Sequence, residues 1–180
     1  NYLSAATRAI VRHAVRAGET LTTQDIMYRS TPDQGALWPD AAEESLPAVA
    51  VSSLAAGQPL HANHIRRHRV IAVVPCRMKS SRLKHKAVLP IYGVPSIQRC
   101  LLNAMAIPGI TAVVLATSTH PDDAMLEKYA QEVGAGFIRG SEEDVLERFL
   151  AVADQHQPDI MLRITGDCPV VSFEIAKLLI

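Results

Sequence analysis

The sequence has 180 residues, of which 48% are hydrophobic and 20% charged, the usual composition of a globular chain that buries a core. Its 18 basic and 18 acidic side chains give a formal net charge of +0. This balance disfavours sequence-independent nucleic-acid binding, which depends on excess positive charge.

The cysteines and apolar runs bear on the cellular compartment. Three widely spaced cysteines, Cys76, Cys100 and Cys168, form no CxxC pair and favour a reducing cytoplasm over a disulfide framework. The first residues lack the apolar region of a signal peptide. The most apolar run, residues 101–117, is interrupted by Pro108-Gly109. We therefore expect a cytoplasmic protein with no membrane span.

The first third of the chain contains a repeat. Residues 9–26 and 48–65 each resemble a short alternating strand, a turn at Ala-Gly and a second short segment, with matching positions 39 apart. Glycine suits a turn position that needs a positive φ. We predict a small pseudo-symmetric β module over residues 1–68, and the alternative is chance similarity of two turn units. The matching pairs are Val15 and Leu54, Ala17 and Ala56, Gly18 and Gly57, Leu21 and Leu60, and Ile26 and Ile65.

Two segments of this module lack strand patterns. Residues 30–45 are rich in turn formers and contain the only tryptophan, Trp38, so we predict a loop. In residues 61–69, His61, His64 and His68 would align on a helix and suggest a zinc site. No cysteine or carboxylate completes that set, so a solvated basic linker is the favoured interpretation.

From Val70 the pattern alternates between buried strands and amphipathic helices. Strands are predicted at residues 70–75, 111–117, 136–140 and 160–164. Helices are predicted to begin at Pro95 and Pro121 and to cover residues 142–156. This β-α order predicts a doubly wound α/β domain over residues 69–180, with ligands at the carboxyl ends of the strands.

A basic loop follows the first of these strands, where such folds bind phosphates. No glycine lies between Pro75 and Tyr92, so neither a Walker A loop nor a GxGxxG motif is present. The alternative is a solvated basic loop. The cations of this loop are Arg77, Lys79, Arg82, Lys84 and Lys86, which could neutralise a triphosphate, with Ser80 and Ser81 as hydrogen-bond donors.

Two further sites follow later strands. Asp167 comes directly after the last predicted strand, where a carboxylate can hold Mg²⁺ against phosphate oxygens. Taken alone, it could also be a turn residue or a helix cap. Ser141 is a candidate helix N-cap with Asp144 three residues later, and side chains at such a helix start can also face a nucleotide.

These motifs resemble those of the sugar cytidylyltransferases, most closely the spore-coat polysaccharide type, with the acylneuraminate and 3-deoxy-manno-octulosonate enzymes as relatives. The resemblance covers about residues 70 to 180. Lys84 and His85 replace the Pro-Gly that is usual in the first loop. The matching segments are CRMKSSRLKHKAVLPIYGVPSI, ATSTHPDD, FIRGSEEDVLERF and RITGDCPVV.

The resemblance implies nucleotidyl transfer from CTP to a sugar or sugar acid, giving a CMP-sugar and pyrophosphate. Arg77, Arg82 and Lys86 would contact the phosphates, and Asp167 would hold Mg²⁺ and align the nucleophile. Cys76 and Cys168 are expected to be packing residues. Neither nucleic acid nor membrane is an expected partner, and a homodimer remains open. Candidates for the cytosine or ribose contacts are Thr117, Arg139, Ser141 and Asp144.

Residues 7–29 and the second Ala-Gly copy resemble the SAF, or antifreeze-like, domain of sialic acid synthases, a β-clip module. That resemblance implies that Arg29, in a central loop, reaches the sugar. The chain is then the junction of a synthase and a cytidylyltransferase, with the barrel before Asn1 and further site residues beyond Ile180. The alternatives are a non-catalytic capping or dimerisation module with an incomplete nucleotide-binding domain, and a transferase that uses another nucleotide.

Overall fold

The computed structural model describes residues 6–79, 83 and 85–179, without the side chains of residues 177 and 178. The chain forms two compact units, Asn1–His68 and Arg69–Ile180. No helix within the described residues is long and apolar enough to cross a membrane.

The first unit consists of short antiparallel strands and one helix. Its elements are β1 (Ala6–Val11), β2 (Thr20–Leu21), β3 (Ile26–Thr31), α1 (Pro39–Ser45), β4 (Ala48–Ala50) and β5 (Ile65–Arg66). Strand β1 pairs with β3, and β4 lies between β2 and β5. The prediction of a loop over residues 30–45 was wrong for its second half. Pro39 stands at the first position of α1, where its missing N–H costs no hydrogen bond.

The repeat in this unit is structural, which confirms that prediction. Equivalent residues of the two copies make equivalent backbone hydrogen bonds with the other copy. Gly18 and Gly57 adopt the positive φ that the turn requires, 85° and 81°. Val15 and Leu54 bond in both directions at 3.0 and 2.8 Å, and the N–H groups of Gly18 and Gly57 donate to Ala50 and Val11 at 2.8 Å.

The three histidines of residues 61–69 do not share a helical face, which removes the basis of the less favoured zinc interpretation. The favoured interpretation as a linker was wrong for residues 62–66, which form a 3-10 helix and strand β5. A short 3-10 helix covers Ala62–His64, and His68 Nε2 lies 3.1 Å from Thr20 Oγ1. His61 Nε2 lies 3.0 Å from Asp33 Oδ2. Within the described ranges, no group of three His, Cys, Asp or Glu side chains could hold a metal.

The second unit is a parallel sheet with helices on both faces, and the predicted α/β architecture is confirmed. The sheet order is β10-β9-β6-β11, and all of its pairs are parallel. A hairpin, β7–β8, was not predicted. The strands are β6 (Val70–Pro75), β7 (Pro90–Ile91), β8 (Val94–Pro95), β9 (Ala112–Ser118), β10 (Gly136–Gly140) and β11 (Ile160–Arg163); the helices are α2 (Ser96–Met105), α3 (Leu126–Val133), α4 (Val145–His156) and α5 (Phe173–Leu178).

The apolar residues of β6 explain its central position. Val70 to Val74 are all at most 1% exposed, because alternate residues face opposite layers of the core. Ala72 and Val74 belong to the core on one face, and Ile71 and Val73 to the core on the other. Strands β9 and β10 lie on one side of β6 and β11 on the other. The chain therefore changes direction between β6 and β11, where open α/β sheets have a binding crevice.

Candidate active site

A cleft of about 560 Å³ opens at the carboxyl ends of β6 and β11. Its walls come from the loops after these two strands and from the first turns of α4. The charged residues of its described lining are five cations and one carboxylate, so the cleft suits an anionic ligand. They are Arg77, Lys79, Lys86, Arg148, Arg163 and Asp167.

Asp167 and Lys86 meet in this cleft. Lys86 Nζ donates to Asp167 Oδ2 at 2.9 Å. The hydrogen bond from Lys86 and the charge of its ammonium group hold the pKa of Asp167 below the ordinary value of 3.8, although slight burial opposes this. Because its pKa lies below 3.8, the Asp167 carboxylate is ionised at neutral pH. Its side chain is 61% exposed, so a ligand can reach it.

The basic loop also contacts the segment between β10 and α4. Arg77 Nη1 donates to the Glu142 backbone oxygen at 2.8 Å, and Lys79 Nζ lies 3.2 Å from Glu142 Oε1. Both cationic residues are exposed. The Lys79–Glu142 ion pair, like other pairs close to solvent, contributes little to stability. An anion entering the cleft can therefore recruit these cations at small cost.

A buried carboxylate that the sequence analysis did not single out anchors the start of the loop. Asp123 is 1% exposed, and its Oδ1 accepts a hydrogen bond from the Met78 N–H at 2.6 Å. The hydroxyl of Ser118 donates to Asp123 Oδ2. This network ties the loop after β6 to the segment after β9. The position of Asp123 in the sequence, two residues after Pro121, gave no signal of a long-range partner.

The loop that carries Asp167 packs tightly on the end of β6. A Cβ atom at Gly166 would lie 2.8 Å from both the Pro75 backbone oxygen and Cys76 Cβ. Burial raises the pKa of the Cys76 and Cys100 thiols to about 12, which keeps both protonated. Cys168 is exposed and does not pack in the core, so the expectation of a packing role was wrong for Cys168.

Four of the predicted nucleotide-binding residues do not line the cleft, and each is engaged within the protein. Thr117 is buried and donates from Oγ1 to the Cys76 backbone oxygen at 2.7 Å. Arg139 donates to three backbone carbonyls, those of Ser118, Thr119 and His120, at 2.9 to 3.1 Å.

The other two, Ser141 and Asp144, form the start of α4. Asp144, and not Ser141, is the N-cap, since its Oδ1 accepts from the Glu147 N–H at 3.1 Å. Ser141 Oγ accepts from the Asp144 N–H at 3.0 Å. The prediction of Ser141 as the cap was therefore wrong by three residues.

The remaining predicted residues lie elsewhere. Ser80, Ser81 and Arg82 fall outside the described residues. Arg29 lies in the first unit on strand β3, directly opposite Arg8 of β1, and is exposed. Its predicted position in a loop was wrong.

Comparison with known proteins identifies the family. The family model for cytidylyltransferases matches residues 71–180, so the chain belongs to the cytidylyltransferase family. A spore coat polysaccharide biosynthesis protein of Bacillus subtilis is 31% identical over 115 residues, which are 62% of this chain and 48% of that protein. A 3-deoxy-manno-octulosonate cytidylyltransferase of Escherichia coli is 32% identical over 105 residues, 57% of this chain and 41% of the relative.

Solved structures agree with this assignment. A cytidylyltransferase from Leptospira borgpetersenii superposes with a TM-score of 0.59 and 30% identity, over 62% of this chain and 47% of that one. A CMP:2-keto-3-deoxy-manno-octonic acid synthetase complexed with CTP gives a TM-score of 0.55 and 29% identity, over 62% and 45%. The chain thus spans about half the length of the relatives that it matches.

Proposed function

We propose that this chain binds CTP in the cleft between β6 and β11 and transfers its cytidylyl group to a hydroxyl of a sugar or sugar acid. The products are a CMP-sugar and pyrophosphate, and the setting is the biosynthesis of polysaccharides. The observation that carries the proposal is the pairing of Lys86 with Asp167 at 2.9 Å beside Arg77, in a cleft of the family-matched unit.

The electrostatics of the cleft support a triphosphate as ligand. Arg77, Lys79 and Lys86 all line the cleft, and guanidinium and ammonium groups bind phosphate oxygens through charge-assisted hydrogen bonds. Lys79 and Lys86 pair with the partly exposed side chain of Glu142 and the exposed side chain of Asp167, and Arg77 donates to the backbone oxygen of Glu142. Exchange of these weak pairs for phosphate contacts is favourable because the phosphates carry more charge.

The arrangement also fits a magnesium ion. Mg²⁺ is commonly held by one or two carboxylates together with substrate phosphates, and Asp167 is an accessible, ionised carboxylate in the cleft. Asp167 is the residue that would hold it, and the ion would neutralise charge on the phosphate oxygens.

The protein's own residues supply positioning and charge stabilisation. Binding of the β- and γ-phosphates by Arg77 and Lys86 orients the α-phosphorus toward the acceptor hydroxyl. The same cations stabilise the negative charge that develops on the departing pyrophosphate. The hydroxyl oxygen forms the new bond to the α-phosphorus as the bond to the bridging oxygen of pyrophosphate breaks, and the hydroxyl proton is released to solvent. No covalent intermediate with the protein is required.

The test is incubation of the chain with radiolabelled CTP, Mg²⁺, pyrophosphatase and a panel of sugar acids that includes 3-deoxy-manno-octulosonate and N-acetylneuraminate. A labelled CMP-sugar supports the transferase. Binding of CTP without turnover favours a non-catalytic nucleotide-binding module. Competition with UTP, GTP and ATP identifies the nucleotide, and stronger competition by any of these than by unlabelled CTP argues against the proposal.

For the first unit we propose an SAF-type module that acts with a sialic-acid-type synthase. The support is the pseudo-symmetric pair of Ala-Gly units and the exposed position of Arg29 on β3. In an assay with a sialic acid synthase barrel supplied separately, Arg29→Ala should weaken sugar binding, while Arg16→Ala, on the turn before Gly18, should not. Equal sugar binding by the Arg29→Ala and Arg16→Ala variants would contradict the role of Arg29.

A further inference from the structure

Arg148 is the largest fully buried side chain of the molecule as described. It lies on α4, is 1% exposed, and lines the cleft that Arg77 and Asp167 also line. Arginine is almost never buried to this degree unless it is paired, because its charge is costly to remove from water.

The described residues leave this guanidinium largely without partners. Its Nε has no hydrogen-bond partner, and its Nη1 reaches the Ala116 backbone oxygen only at 3.5 Å. No ion pair joins Arg148 to a described carboxylate. Burial and the charge of Arg77 lower the pKa of Arg148, and the charges of the Asp123 and Asp144 carboxylates offset this lowering only in part. The contrast is Asp123, whose equally buried carboxylate accepts two hydrogen bonds.

An anion bound in the cleft would offset the cost of burying the Arg148 guanidinium without an ion-pair partner. Arg77, which borders the same cleft, repels Arg148, so a ligand that satisfies both must carry considerable negative charge. A phosphate group provides this charge, and its oxygens match the planar fork of a guanidinium.

The neighbouring strand leaves space for this side chain. A Cβ atom at Gly140, the last residue of β10, would lie 2.8 Å from Arg148 Cγ and 3.7 Å from its Cα. Glycine at this position therefore allows the Arg148 side chain to run along the end of β10 toward the cleft.

We propose that Arg148 is a phosphate-binding residue of the nucleotide site, that it contacts the phosphates from the floor of the cleft, and that Gly140 is needed to admit its side chain. This inference rests on the proposed function, because the phosphate is taken to belong to the bound nucleotide. It adds a residue that the sequence pattern does not distinguish from an ordinary helix arginine.

The experiment measures dissociation constants for CTP by calorimetry, and for cytidine by NMR titration, in the full chain and three variants. Arg148→Met removes the charge and keeps an unbranched apolar stem, and it should weaken CTP binding by about tenfold to a hundredfold, the range for a charge-assisted hydrogen bond. Cytidine binding should not change. Gly140→Ala should weaken CTP binding by a smaller factor. Lys128→Met removes an exposed charge of α3 and should leave both constants unchanged.

Thermal unfolding separates binding from a structural role. Because Arg148→Met removes an unpaired buried charge, its unfolding temperature should be equal to or above that of the unmodified chain. An unchanged CTP constant in Arg148→Met overturns the proposal, as does an equal loss for CTP and cytidine. If Arg148→Met does not fold, the CTP dissociation constant of Gly140→Ala tests the proposal instead. An unchanged CTP affinity in Gly140→Ala then overturns the phosphate-binding role of Arg148. Failure of the unmodified chain to bind CTP would instead refute the proposed function.

Discussion

Replacement of Gly166 by alanine tests how the Asp167 loop is positioned. The new methyl group would lie 2.8 Å from the Pro75 backbone oxygen and from Cys76 Cβ, well inside normal contact distance. Neither atom is the end of a flexible side chain, so the loop must move away from β6. Overpacking of this kind costs about 1–3 kcal/mol. The displaced Asp167 would also lose its 2.9 Å contact with Lys86.

The assay combines urea unfolding, followed by far-UV circular dichroism, with CTP binding in the presence of Mg²⁺. We expect Gly166→Ala to lower the free energy of unfolding by about 2 kcal/mol and to weaken Mg²⁺-dependent CTP binding. The control is Gly136→Ala at the start of β10, where the new Cβ meets Val114 Cγ2 at 3.2 Å and a small shift relieves the contact. Before urea is added, the fluorescence of Trp38 in the first unit should be the same in Gly166→Ala as in the unmodified chain. Unchanged stability and CTP affinity in Gly166→Ala would show that the Asp167 loop tolerates a Cβ atom at this position.

Three further predictions concern individual side chains. Asp123→Ala should lower the free energy of unfolding by about 1–3 kcal/mol, because the Met78 N–H and the Ser118 hydroxyl lose their acceptor. The measurement is urea unfolding, and the control is Asp122→Ala at the exposed neighbouring residue. Equal effects of the two variants would contradict the anchoring role of Asp123. Lys86→Met should raise the lowered pKa of Asp167 toward 3.8, measured by NMR titration. The stability that the Lys86–Asp167 pair contributes is present above pH 3.8 and is lost as the pH falls through the lower pKa of the folded state. An unchanged pKa of Asp167 in the variant would exclude the contact in solution. At pH 8, iodoacetamide should label exposed Cys168 well before Cys76 and Cys100, because the pKa values of these two thiols are about 12 and few thiolates form. Equal labelling of the three cysteines by mass spectrometry would contradict the raised pKa values.

The sequence predicted the second unit well because its signals are local. The continuous apolar run of β6 and the turn residues around each helix determine element type, and the β-α order then determines a parallel sheet. The hairpin β7–β8 was missed because its strands have two residues each. Helix α1 was missed because Pro39 and its neighbours are also good turn formers.

The sequence predicted the position of a site residue only where that residue follows the end of a strand. Arg77, Lys86 and Asp167 were expected at one edge of the sheet because parallel strands end on the same side. Asp123 and Arg148 were not found, because their importance depends on burial and on partners far along the chain, 45 residues away in the case of Asp123 and Met78. Arg139 was interpreted as a ligand contact, although its three carbonyl partners become visible only in three dimensions.

Joint binding of a magnesium-associated nucleotide phosphate by the loop cations and Asp167 can be measured through the CTP dissociation constant, with and without Mg²⁺, in the unmodified chain and in Asp167→Asn. We expect Mg²⁺ to tighten CTP binding to the unmodified chain by tenfold or more, about 1.4 kcal/mol, and to have little effect on Asp167→Asn. The same dependence on Mg²⁺ in both proteins would show that Asp167 does not hold the ion.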